Sequence, residues 1–167
     1  MRIRQIGLSD ASAYGSLCRR LDGETVFRLY EPGERGEQTD IFQDEIKRFL
    51  SNSQSTIFIA EEEPGILVGY LQAIGREAKR IRHVISVNVG ILQEYTGKGI
   101  GGRLFAELES WAKEKGIRRI DLTVMESNIP AQKLYHRLGF AVEGIKRRSM
   151  RIGEAYVDEI FMSKWLS

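Results

Sequence analysis

The 167 residues carry 25 lysines and arginines against 23 aspartates and glutamates, a net charge of +2, with 42% hydrophobic and 29% charged residues. This is the balance of one globular domain over residues 1–167 with a single sizeable core, and too little positive charge for a protein whose main task is gripping a nucleic-acid backbone. One cysteine excludes an internal disulfide framework, and His83 and His136 have no Cys or His neighbours at metal-ligand spacing, so no metal is expected. The first six residues lack the apolar run of a signal peptide, and no apolar stretch approaches the roughly 20 residues of a membrane span; no membrane partner and a cytoplasmic location are expected.

In chain order, residues 2–6 alternate polar and apolar side chains and read as a short strand. Ser9 is placed to cap a helix whose apolar positions Tyr14, Leu17, Cys18 and Leu21 recur at helical spacing, with Cys18 a small core residue. The polar stretch 31–37 reads as a loop. Thr39 or Asp40 caps a second helix with Phe42, Ile46, Phe49 and Leu50 on one face. Strands follow at 56–60 and 66–74 around a Pro64-Gly65 turn, then a basic connection, 76–82, and a strand at 84–92. Gly90, inside that last strand, marks a bulge or a close backbone approach.

After the glycine-rich turn at 97–102, Leu104, Leu108, Trp111 and Ala112 form the apolar stripe of a helix closed by Gly116. Residues 117–125 read as a strand. Asn128 caps a short helix with Pro130 in its first turn and Leu134, Tyr135 and Leu138 facing inward. Two last strands, near 140–150 and 156–165, turn at Gly153.

The most informative stretch is Tyr95-Thr96-Gly97-Lys98-Gly99-Ile100-Gly101-Gly102-Arg103-Leu104. Glycines between a strand and a helix let successive N–H groups curl round an anion, and the helix N-terminus adds partial positive charge. A merely flexible turn is the plainer alternative; four glycines within 97–102, beside Lys98 and Arg103, weigh against it. A Walker A loop fails because Gly99, not Ser or Thr, follows Lys98. The dinucleotide fingerprint G-x-G-x-x-G is matched by Gly97, Gly99 and Gly102, with Asp121 and Glu126 roughly 20 residues on. Its usual place is the start of a domain, however. Here about 95 residues precede it and one strand-helix unit follows, leaving no room for the repeated parallel strands.

The run 91–104 resembles the acyl-CoA-binding motif Q/R-x-x-G-x-G/A of the GNAT (Gcn5-related N-acetyltransferase) family. Gly99 and Gly101 fall on its glycines, and Thr96 stands where the family usually has Gln or Arg. Asn128-Ile129-Pro130-Ala131-Gln132-Lys133-Leu134-Tyr135-His136-Arg137-Leu138-Gly139-Phe140 resembles the family's N-x-x-A-x-x-L-Y-x-x-x-G-F segment at the family's spacing. The resemblance covers 84–165 well, and the first 80 residues mainly in strand and helix order.

The resemblance implies a mixed α/β fold, with a mostly antiparallel central sheet, two splayed parallel strands beside a bulge, and about four flanking helices. It implies acetyl-CoA as co-substrate and transfer of its acetyl group to a primary amine by direct attack in a ternary complex. Backbone groups around Val89 and Ile91 are then expected to take the pantetheine arm. Thr96, Gly97, Lys98, Gly99, Ile100, Gly101 and Gly102 would take the pyrophosphate, with Asn128 and Ala131 beside the cofactor. Tyr135 falls where the family's tyrosine protonates the leaving thiolate; packing beside Leu134 and Leu138 is its plainer role, as N-capping is for Asn128. Glu24, Glu31, Glu34 and Glu126 are candidate bases, none preferred. The acidic residues of 22–40 read as a solvated loop or as bait for a cationic amine. The ending, Glu143-Gly144, Arg147 and Tyr156-Val157-Asp158 through Met162, looks like the branch with ribosomal-protein and polyamine acetyltransferases. Peptide N-termini, polyamines and aminosugars remain candidate acceptors. A homodimer through the last strands or the basic connection is compatible with the sequence. The alternative function is an acyl-CoA-binding sensor that transfers nothing. The basic runs 76–82 and 146–148 lack interleaved aromatics, so no nucleic-acid partner is expected.

Overall fold

The apolar runs read as strands are too continuous for a sheet with one wet face, and the computed structural model, which describes all of Met1–Ser167, covers both faces with helices. The elements are β1 (Arg2–Gln5), α1 (Ala11–Glu24), α2 (Thr39–Ser51), β2 (Thr56–Glu63), β3 (Ile66–Ile74), β4 (Val84–Ile91), α3 (Ile100–Glu114), β5 (Arg119–Met125), α4 (Ile129–Arg137), β6 (Ala141–Ile152) and β7 (Ala155–Trp165). Seven strands form one sheet in the order β1-β2-β3-β4-β5-β7-β6. Every neighbouring pair is antiparallel except β4 with β5, because α3 carries the chain back over the sheet between them. The fold is therefore the expected mixed α/β architecture with four helices. No helix is long and apolar enough to cross a membrane.

Strand parity assigns the helices to faces. Phe58 stands opposite Leu71 and packs edge-on against Trp111 of α3, with ring centroids 6.3 Å apart. Ile59 stands opposite Tyr70 on the other face, where Tyr70 meets Tyr14 of α1 at 5.5 Å. One hydrophobic cluster runs through both layers and includes Cys18, which is fully buried as expected.

The helix starts differ from expectation in detail. Ser9 is exposed, and Asp10 holds the N-cap position of α1 without capping it. Its carboxylate instead accepts the Gly7 N–H at 2.8 Å and both terminal nitrogens of Arg4 at 2.8 Å, while Arg4 also donates to Glu61 on β2. A charge-assisted pair outcompetes the weaker cap bond. Gln38, not Thr39 or Asp40, is the N-cap of α2, and Leu50 points into solvent while Phe42 and Ile46 are buried.

Helices α1 and α2 touch closely at Gly15. A Cβ there would lie 2.7 Å from Phe42 Cδ2 and 2.8 Å from Cε2, and the Phe42 ring is buried. Gly15→Val is expected to lower stability by about 1–3 kcal/mol, seen as a lower denaturant midpoint at constant slope. An unchanged midpoint would show that the two helices do not pack this closely.

Candidate active site

The parallel ladder of β4 and β5 holds at three positions only: Val84 opposite Arg119, Ile85 opposite Ile120, and Ser86 opposite Asp121. Beyond them each strand follows its outer neighbour, β4 pairing with β3 as far as Ile91 and β5 with β7 as far as Met125. The Leu92 N–H donates to Val68 O at 2.9 Å. By strand alternation, Val89 and Ile91 therefore turn their backbone groups toward the gap. The register of β3 with β4 runs unshifted from Gly69–Ile91 to Ile74–Ser86, so the splay arises without the expected bulge. Neither expectation for Gly90, a bulge or a close backbone approach, describes it: side chains are what crowd it. A Cβ there would lie 2.7 Å from Arg28 Nη1 and 2.9 Å from Leu21 Cδ1.

At one end of the gap lies the glycine loop. Gly97 (φ +74°) and Gly99 (φ +80°) take the left-handed conformation that side chains disfavour. The N–H groups of residues 97–102 have no partner in the protein. Arg103, donating to Gly99 O at 3.1 Å, is the first of this stretch to be bonded. A Cβ at Gly97, Gly99 or Gly102 would meet nothing within 4 Å, whereas one at Gly101 would strike Leu134 Cδ2 at 2.8 Å. Gly101 thus seats α3 on α4, and the other three leave an open cradle of donors at a helix N-terminus, which fits an anionic pyrophosphate. Ile100 is buried beneath it. Thr96 Oγ1 donates back to Gln93 O at 2.7 Å, and Lys98 Nζ lies 4.7 Å from the Tyr95 ring centroid.

A cavity of about 550 Å³ opens from the gap, lined on the sheet side by Val87, Asn88, Val89, Thr123, Val124 and Met125, and beyond it by Asn128 and Tyr135. Asn128 Oδ1 accepts the Ala131 N–H at 3.3 Å, so it is the N-cap of α4 and also faces the cavity. Tyr135, only 6% exposed, packs edge-on against Phe105 and tilted against Phe140, each ring centroid 5.9 Å away. Its hydroxyl has no hydrogen-bond partner in the protein and keeps an opening to the cavity. Burial pushes its pKa up to about 12, against an opposing pull from the Arg28 guanidinium.

The opposite wall departs most from the sequence reading. Asp22, counted among solvated acidic residues, is 2% exposed and receives Nε of both Arg35, at 2.5 Å, and Arg28, at 3.5 Å. Arg28 Nη1 donates to Val89 O at 3.4 Å, and its Nη2 donates to the Tyr70 hydroxyl. One signal for this was present: Asp22 continues the Tyr14–Cys18 spacing of the core stripe, and a carboxylate in that place demands a buried cation. Nothing in the spacing points to Arg28, Arg35 or Tyr70 as its company. Of the four candidate bases, Glu34 alone lines the cavity, joined by Glu45 and Glu159, which sequence reasoning missed. Glu24 accepts the Gln93 N–H at 2.8 Å and pairs with Arg20; Glu31 and Glu126 are exposed.

A model of the acetyltransferase (GNAT) family matches residues 23–140. An L-amino acid N-acetyltransferase, AaaT, of Escherichia coli (strain K12) is 31% identical over 105 residues, which are 60% of this chain and 62% of that protein. A Bacillus subtilis (strain 168) protein provisionally named as a ribosomal protein bS18-alanine N-acetyltransferase is 42% identical over 130 residues, 77% of this chain and 83% of that one. The crystal structure of a GNAT-family acetyltransferase from Streptococcus pneumoniae superposes with a TM-score of 0.92 at 27% identity, covering 99% of both chains. A phosphinothricin acetyltransferase from Sinorhizobium meliloti in complex with acetyl-CoA shares the fold at a TM-score of 0.85 and 21% identity, over 99% of this chain and 88% of that one. With the splayed strands, the glycine cradle and the asparagine-capped fourth helix already in place, these matches settle its kinship: the chain belongs to the acetyltransferase (GNAT) family.

Proposed function

We propose that residues 1–167 form one cytoplasmic N-acetyltransferase domain that passes the acetyl group of acetyl-CoA to a primary amine by direct attack. The observation that carries this reading is the run of unpartnered N–H groups at 97–102 at the mouth of the splayed strands. Those donors, with the N-terminus of α3 behind them and Lys98 beside them, suit a pyrophosphate. The free edge of β4 at Val89 and Ile91 suits an amide-bearing arm that pairs like an added strand. Thr96, expected among the pyrophosphate contacts, offers no free donor: its N–H and its hydroxyl both donate to Gln93 O. Asn128 lines the same cavity just ahead of α4, while Ala131, whose N–H it caps, packs against the core and does not line the cavity.

The chemistry needs a neutral amine held against the thioester carbon, a donor for the oxygen that gains charge, and a proton for the departing sulfur. Backbone N–H groups of β4 in the gap meet the second need. Tyr135 meets the third. Its free hydroxyl opens on the cavity, and a phenol raised to about 12 stays protonated wherever the enzyme works. That proton goes to the sulfur as the carbon–sulfur bond breaks and the carbon–nitrogen bond is made; the acetylated nitrogen gives up one proton to solvent, and the phenolate takes one back from solvent.

Calorimetry with acetyl-CoA, using NADH and ATP as controls, tests the cradle. Micromolar-range binding is expected, lost in Gly99→Glu, which places a carboxylate among the donors. No binding, or preference for NADH, removes the transferase reading; binding without turnover of any amine replaces it with an acyl-CoA sensor. Tyr135→Phe is expected to lower kcat by about 100-fold or more, with acetyl-CoA affinity held within a few-fold. Because Tyr135 donates in its neutral form, its contribution persists through pH 10 and is lost as pH rises through about 12. A falling limb near pH 8 that disappears in Tyr135→Phe would contradict this assignment.

A further inference from the structure

The wall facing the catalytic gap carries a charge arrangement that an acetyl donor does not require. One carboxylate, Asp22, serves two guanidiniums, so the group of three holds one excess positive charge. The arginine side chains are only 10% and 16% exposed for Arg28 and Arg35, so water screens little of that excess. Arg28 is fully engaged, with Nε on Asp22, Nη1 on Val89 O and Nη2 on the Tyr70 hydroxyl. Arg35 is not. Its Nε donates to Asp22 and its Cζ lies 4.4 Å from the Tyr30 ring centroid, which fixes the guanidinium plane. Neither terminal nitrogen of Arg35 has a hydrogen-bond acceptor in the protein, and the side chain lines the cavity.

A fixed, mostly desolvated guanidinium with two free N–H ends matches a carboxylate bidentately, and is costly to leave incomplete. The same cavity also holds acidic side chains. Glu45, which accepts from Gln72 Nε2 at 2.8 Å, and Glu159 both line it. Positive and negative groups on one small cavity suit a ligand that carries both signs.

We propose that the acceptor is a small amine bearing its own carboxylate, of the free amino-acid class, with that carboxylate seated on Arg35. This rests on the transferase reading of the same cavity. A polyamine has no anion for Arg35 and leaves its two terminal nitrogens without an acceptor. A peptide N-terminus has its first carboxyl group tied up as an amide.

The test compares L-amino acids with their primary amides and with a diamine, by acetyl-CoA turnover and by titration calorimetry into the protein–CoA complex. For the preferred side chain, the carboxylate form is expected to bind and react about 10- to 100-fold better than its amide. Arg35→Gln is expected to bring that ratio close to one and Arg35→Lys to restore part of it, with thermal melting confirming that both variants fold. A wild-type preference for amides or the diamine, a ratio that survives Arg35→Gln, or the absence of any amino-acid binding where acetyl-CoA binds, would each overturn the proposal. Turnover of amines without carboxylate preference overturns the acceptor class alone. Failure to bind acetyl-CoA removes the transferase reading, and this proposal with it.

Discussion

Backbone N–H and C=O groups withdrawn from water need partners, and β4 and β5 stop supplying them to each other beyond Ser86 and Asp121. The rest of the site depends on that interruption. It is rigid rather than frayed, because β3 continues alongside β4 and β7 alongside β5 past the point of parting. The sheet therefore keeps an open slot with its polar edges exposed. The helix that must connect two parallel strands begins at the mouth of that slot, with its first N–H groups unbonded. Slot and cradle are consequences of one topology.

The two sides of the slot are built by different means. Gly101 lets α3 rest against Leu134 of α4, which brings Tyr135 to the cavity with its ring held by Phe105 and Phe140. On the facing side the segment between α1 and α2 has no regular structure of its own, and charge holds it. Arg28 and Arg35 converge on Asp22, and Arg28 reaches across to Val89 O and Tyr70. Gly90 makes room for that crossing, since any Cβ at that position would collide with Arg28 Nη1. One arginine thus ties the segment between α1 and α2 to the edge of β4. It also lowers the pKa of Tyr135 against the effect of burial.

Much of this was legible in the chain. The place of the glycine loop late in the chain, with one strand-helix unit after it, separated it from a dinucleotide fold, and the structure gives three of its four glycines a physical reason. Gly97 and Gly99 take positive φ and Gly101 a close helix contact, while at Gly102 nothing in the protein itself demands glycine. Asn128 was open between cap and cofactor contact. It proved to be the cap while also facing the cavity, because the residue before a helix at a strand end does both at once. The errors share a cause. Ser9 has the chemistry of a cap, but Asp10 was drawn to Arg4, and no local rule weighs an ion pair formed with strands β1 and β2. Gly90 was read as a bulge or a close backbone approach, and what crowds it instead is side chains brought in from α1 and the segment after it.

What the sequence determined by itself is whatever repeats or lies close along the chain. Periodicity of apolar residues marked the strands and helices, and the spacing of glycines and of the Asn128–Gly139 segment marked the family. What only the tertiary structure decided is the pairing of charges. Asp22 lies 13 residues before Arg35, and Arg28 lies 42 before Tyr70 and 61 before Val89, with no periodic relation among them. Local propensity acts over one turn or one pleat, whereas desolvation forces a buried carboxylate to find whichever cations the fold brings within reach. The wall of Asp22, Arg28 and Arg35 is made by that second rule, so it became visible only once the chain was folded.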